Sequence, residues 1–384
     1  MLEALLANQA LTITLTGALV GVAGSLVGTF LLLRGSAMLS DAMSHSIVFG
    51  IVVVWLLTHA QSGPVQIIGA ALTGVLTVVL TELLTRTRRV KNDAAIGLVF
   101  PALFAAGVLL LNLYARDVHI DTHTVLLGEI GFVWLDTLSL GGYEVPQALL
   151  WMGVVTLVNA AFVGGLYKEL KLATFDPQLA AALGFAPTAL FYALLLLTSA
   201  TAVAAFDAVG AVLFIAFAIV PPATAYLLTD RLWLMLLLGA LVAIAASVGG
   251  YAAAVQLDVS IGGTMALMTG ACLALAFLLG PRHGLAAQAW RHWRQRYANE
   301  ARALAIYLYE REDRGVPTAE AELAAVLEDE LGWPTAQAAA VLERSRRSGL
   351  IRRDGSGVHL TPKGRETARA LRQPWRRREA DPAA

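Results

Sequence analysis

The stretch LLLRGSAMLSDAMSHSIVFGIVVVWLL (residues 31–57) decides how the chain is read. It is apolar over most of its length, yet it carries Arg34, Asp41 and His45. A bilayer core about 30 Å thick takes roughly 20 apolar residues per helix, and this stretch is long enough to supply them. An ionisable side chain inside such a helix costs about 3 kcal/mol, so by default it points to an ion or substrate path.

The rest of the chain agrees with a membrane protein. Of 384 residues, 57% are hydrophobic and 15% are charged, which excludes an ordinary soluble globule. Acidic residues outnumber basic ones over residues 1–280, and the remainder is polar and mildly basic. The single cysteine, Cys272, lies in an apolar run and forms no intrachain disulfide. The opening MLEALLANQALTITL lacks the basic region of a secretory signal, so the first hydrophobic run is expected to stay as an anchor.

Apolar runs at about 10–33, 41–60, 65–85, 94–114, 147–167, 187–206, 208–229, 232–256 and 260–280 predict nine spans. The count becomes eight if the weak boundary at 206–208, marked only by Asp207, is a broken helix. The basic residues of RTRRVK (86–91) and KELK (168–171), together with Arg34, Arg231 and the basic tail, predict a cytoplasmic side that includes the C-terminus. The long loop at about 114–146 then falls outside. Dense small residues, as in GALVGVAGSLVG, predict a compact bundle. The fold class is therefore an all-α polytopic membrane protein with a small cytoplasmic α+β domain.

Asp41 and His45 are four residues apart, which on a helix puts them on one face with Cβ atoms about 5–6 Å apart. Carboxylate oxygen with imidazole nitrogen suits manganese, zinc or iron(II), whereas calcium and magnesium prefer oxygen alone. The competing reading is a hydrogen-bonded pair between helices, or a helix start capped by Ser40 or Asp41. In the outer loop, His119, Asp121, His123 and Glu129 fall within eleven residues. They make either a cluster that receives a metal or a solvated polar loop; on an extended segment the first three share one side. DPQLAAALG (176–184) reads as a short helix with Asp176 as N-cap, Pro177 in the first turn and Gly184 as the stop. Between spans such a helix docks on a partner or lies on the membrane surface.

LRGSAMLSDAMSHSIVFGIVV, NDAAIGLVFPALFAAGVLLL, HIDTHTVLLGEI and FDPQLAAALG occur in that order, and over residues 10–280 the chain resembles the permease subunits of ATP-binding-cassette importers for manganese, zinc and iron(II). The resemblance implies a multi-pass protein of the bacterial cytoplasmic membrane that is not itself an enzyme and holds no permanent cofactor. Its cargo would be a divalent metal, manganese first, then zinc or iron(II). It implies an identical or sister permease as dimer partner, a cytoplasmic ATPase and an extracellular or periplasmic metal-binding protein, besides the surrounding lipid. Asp41 and His45 match the family's intramembrane metal ligands, and Phe175, Asp176, Pro177, Leu179, Ala180, Leu183 and Gly184 match the region that docks on the ATPase. No G-x-x-x-x-G-K-[ST] loop occurs in the chain, in keeping with ATP hydrolysis on a separate subunit.

These readings divide the chain into a permease domain (1–280), a juxtamembrane linker helix (281–297) with interleaved Arg and Trp, a winged-helix-like domain (298–373) and a disordered end (374–384). In the third part LIRR and VHLT flank a DGSG turn, with Leu342, Leu350, Ile351, Val358 and Leu360 as core and 334–348 in the place of a recognition helix. Arg344, Arg346, Arg347, Arg352 and Arg353 would form a phosphate-facing patch or solvate a protein-contact module. The tether to a membrane favours protein contact over nucleic acid. Two alternatives stay open: a membrane-tethered regulator that binds DNA, and an ion-coupled secondary transporter using Asp41, His45 and Asp207.

Overall fold

The computed structural model describes residues 8–59, 64–114, 128, 130–140, 143–281, 284–315, 320–354 and 357–372. It divides into two compact units, Met1–Leu285 and Ala286–Ala384. Residues 374–384, expected as a disordered end, lie outside the described residues.

The first unit is a helical bundle: α1 (Gln9–Leu33), α2 (Ala37–Thr58), α3 (Pro64–Arg86), α4 (Asn92–Tyr114), α5 (Gln147–Gly165), α6 (Tyr167–Phe175), α7 (Pro177–Ala182), α8 (Pro187–Leu228), α9 (Leu232–Leu257) and α10 (Ile261–Leu279). Among the described residues eight helical segments are long and apolar enough to cross a membrane, counting the two halves of α8 separately. The 23-residue α3 supplies the remaining expected run and packs against α2 and α8. Between α4 and α5 a short antiparallel hairpin, β1 (Thr137–Leu140) with β2 (Tyr143–Pro146), pairs Leu138 with Val145. Nothing in the apolar periodicity had announced it, because four-residue strands are too short to show a pattern.

α1 lies at the centre, packed on α8, α9 and α5. Its glycine-rich face lets α8 approach backbone to backbone: a Cβ on Gly28 would overlap the Ala218 carbonyl. Phe206, Phe214, Phe217 and Met265 fill one side of this core, and Phe30, Leu31, Met43 and Leu194 the other. Asn159 of α5, the one buried side-chain amide among the described residues, donates to Ala23 O and Thr201 Oγ1, so it ties α5 to α1 and α8 without leaving its NH2 group unpaired.

The weak boundary at 206–208 resolves as one 42-residue helical run that passes through Asp207 and breaks at Gly210, whose backbone (φ 76°, ψ 168°) is open to glycine alone. The run is thus two helical segments joined at a kink, with no loop between them. Nothing is described of the Asp207 side chain.

The second unit comprises α11 (Leu285–Asp313), α12 (Glu320–Leu331), α13 (Thr335–Arg347), the antiparallel pair β3 (Ile351–Asp354) and β4 (Gly357–Leu360), and α14 (Pro362–Arg372). Leu304, Leu308, Leu327, Val341, Ile351, Val358 and Leu360 are buried together, with Leu342 and Leu350 packed against them. The first strand starts one residue later than LIRR suggests. Leu350 completes the turn that closes α13 by donating to Ser345 O, beside Gly349 at φ 71°.

Candidate functional site

α2 begins at Ala37, after Ser36, which makes no side-chain cap. Asp41 therefore sits in the second turn, and neither it nor Ser40 caps the helix as one reading of the sequence allowed. His45 Nε2 lies 3.4 Å from Asp41 Oδ1, one turn away. The two side chains thus face each other in a long polar contact within one turn of α2. The imidazole is held by a stack on Phe100 of α4, with centroids 5.7 Å apart and planes inclined 29°.

The two side chains are 30% and 33% exposed, Asp41 and His45 respectively, while Ala42, Met43, Ser44, Ser46 and Ile47 around them are buried. Asp41 and His45 thus share a half-buried stripe of α2 flanked by buried neighbours. Among the described residues no cluster of three or more His, Cys, Asp or Glu side chains forms. One chain offers two ligands of mixed oxygen and nitrogen character. His119, Asp121, His123 and Glu129 lie outside the described residues.

The segment 175–184 folds as its sequence indicates. Asp176 Oδ1 accepts from Leu179 N at 2.9 Å, Pro177 opens α7, and Gly184 follows its end at φ 87°. Phe175, Leu179 and Leu183 are 61%, 46% and 61% exposed, whereas Ala180 is buried. Ala180 of α7 is buried, while Leu179 and the flanking Phe175 and Leu183 are left exposed.

Five contacts escaped the sequence reading. Arg34, which had served only to orient the spans, donates from Nη1 to Ala173 O (3.5 Å) and lies 4.2 Å over the Phe191 ring. Glu82 Oε2 accepts from Tyr192 Oη at 2.6 Å, and its Oε1 from Arg86 at 2.8 Å. Ser46 and Thr77 hydroxyls meet at 2.6 Å, next to His45. A charge inside an apolar run was the available signal for Arg34 and Glu82, but Ala173, Phe191 and Tyr192 are distant from them in sequence.

The sequence family described as the ABC 3 transport family matches residues 8–280, more than two thirds of the chain. The chain belongs to the ABC 3 transport family. As a member, it is similar to the zinc transport system membrane protein TroD of Treponema pallidum, 42% identical over 361 residues, covering 93% of this chain and 97% of that protein. Since 361 residues exceed the length of the first unit, that likeness takes in much of the second unit as well. It is also similar to the manganese transport system membrane protein MntD of Bacillus subtilis, 49% identical over 271 residues, 70% of this chain and 92% of that one. Among solved structures, PsaBC from Streptococcus pneumoniae in complex with Fab superposes with a TM-score of 0.60 at 25% identity, covering 71% of this ABC 3 chain and 92% of that one.

Proposed function

We propose that this chain is the permease subunit of an ATP-binding-cassette importer that carries a divalent transition metal, manganese first, then zinc or iron(II), across the bacterial cytoplasmic membrane. The observation that carries the reading is the Asp41–His45 pair, a carboxylate and an imidazole 3.4 Å apart on one half-buried face of a membrane helix. Such a mixed pair favours manganese, zinc or iron(II) over calcium and magnesium. The 49% identity to a protein named for manganese transport supports manganese ahead of zinc.

Two ligands do not complete a metal's coordination. A second permease, identical or a sister chain, would bring another pair to the same path. A binding protein outside delivers the metal, and the loop with His119, Asp121, His123 and Glu129 is its point of transfer. The exposed Phe175, Leu179 and Leu183 around α7 suit docking on a cytoplasmic ATPase, which would place α7 and the C-terminus on the cytoplasmic side. The chain itself performs no catalysis.

The second unit, in this reading, is a winged-helix-like accessory module over 298–373 that follows a juxtamembrane linker at 281–297. Arg346 and Arg347 are held by Glu343, and Arg352 by Asp354, which supports a protein-contact surface over one that grips phosphates. Reconstitution tests the whole reading: proteoliposomes holding the permease and its ATPase should accumulate manganese in an ATP-dependent way. Equal transport without any ATPase would favour an ion-coupled carrier instead.

A further inference from the structure

We infer that Arg34 and the Glu82–Tyr192 pair are positioning groups that carry movement of α7 to the helix bearing Asp41 and His45. The inference rests on the proposed function, in which α7 meets the ATPase and the pair meets the metal.

Arg34 sits in the tight turn between α1 and α2, where Arg34 N donates to Phe30 O (3.1 Å) and Ser36 N to Leu31 O (2.8 Å). Its guanidinium touches both flanks of α7. The hydrogen bond goes to Ala173, in the last turn of α6 before the Asp176 cap, and the ring contact is with Phe191, early in α8 after it. A planar cation over an aromatic face is directional, so displacement of either flank pulls on the turn. From that turn α2 runs as a rigid rod, and Asp41 lies only about 6 Å along it from its first residue.

The second route starts one residue further along α8. Tyr192 donates to Glu82 of α3. α3 joins α2 through the Ser46–Thr77 hydroxyl bond, at the residue after His45. The two consecutive aromatics of α8 are thus each caught by a charged residue from a different place, and the two routes reach α2 on either side of the metal pair. α8 itself follows α7 after a four-residue connection in which Phe185 N donates to Ala180 O at 3.0 Å. Rotation of α7 cannot leave the start of α8 behind.

The test uses the full chain with its partner permease and ATPase in proteoliposomes. It reads manganese moved per ATP hydrolysed, ATPase capture, and manganese affinity without nucleotide. Tyr192→Phe removes one hydroxyl and keeps the ring, so it guards against misfolding of Arg34→Gln. Both variants should lower manganese moved per ATP about tenfold, within the usual range of coupling between sites, with ATPase capture and manganese affinity kept. Arg34→Lys, which retains the charge, should recover part of the ratio. An unchanged ratio in Tyr192→Phe and Arg34→Gln would overturn the inference, as would a ratio that falls only in step with lost ATPase capture. Failure of the proposed function is distinguishable, because there the unsubstituted protein itself would move no manganese.

Discussion

Gly128 rests directly against the Val209–Gly210 peptide, at the point where α8 breaks. A Cβ on Gly128 would overlap the Val209 carbonyl carbon, and Gly210 itself holds a backbone conformation essentially reserved for glycine. Part of the long connection between α4 and α5 and the break in α8 are therefore one feature. Gly210→Ala should lower stability by about 1–3 kcal/mol, read from thermal melting in detergent. Gly128→Ala should act in the same direction through the lost approach. Gly153→Ala, inside α5 with open space around it, is the control and should not destabilise. Melting of Gly210→Ala with the unsubstituted protein would mean that the break is relaxed.

Substitution in α7 separates docking from a surface loop. Leu179→Asp puts a charge among the exposed Phe175, Leu179 and Leu183, where an apolar partner would have to desolvate it. ATPase co-purification should fall about tenfold or more, with the permease still inserted. Asp176→Ala removes the Leu179 cap and should cost about 1 kcal/mol locally, giving a milder loss. Undiminished capture in both would reduce α7 to a connection on the membrane surface.

Glu312 organises the second unit: its Oε1 accepts from Leu360 N at 2.8 Å and its Oε2 from Arg365 Nε at 2.9 Å, joining α11 to β4 and α14. Glu312→Ala leaves the Leu360 N–H without that acceptor and should cost about 1–3 kcal/mol. Hydrogen exchange of β4 amides in the full chain should rise accordingly, while the α1 and α9 amides stay as they were. Unchanged exchange at β4 would show that the strand is held by its apolar contacts alone.

Removal of residues 298–384 should preserve insertion and ATP-driven metal transport, because Asp41, His45 and α7 all lie in the first unit. The readout is manganese accumulation by proteoliposomes. An inserted protein that transports nothing would make the second unit part of the transport machinery.

Much of this was legible in the sequence because its signals are local. Apolar length located the helices, and the cap chemistry of Asp176, Pro177 and Gly184 located α7. Four-residue spacing put Asp41 and His45 on one face. What stayed hidden depends on partners far apart in the chain. Arg34 meets Ala173 and Phe191, and Glu82 meets Tyr192, through packing that no window of sequence contains. The break at Gly210 was masked for a related reason, since a glycine within an apolar helix is common in membranes and only its backbone angle distinguishes it. The start of α2 was misjudged as an option because Ser40 and Asp41 are good caps in isolation, yet the helix had already begun at Ala37.

The central claim is that Asp41 and His45 touch the metal in transit. The most direct measurement is ATP-driven uptake of radioactive manganese into proteoliposomes by Asp41→Asn and His45→Ala, with protein amount and ATPase capture matched to the unsubstituted protein. Loss of even an outer contact to a metal ligand costs about 10–100-fold, so loss of a ligand should take uptake down about 100-fold or more, with assembly intact. Uptake at the unsubstituted rate in either variant would remove the pair from the metal's path and contradict the account.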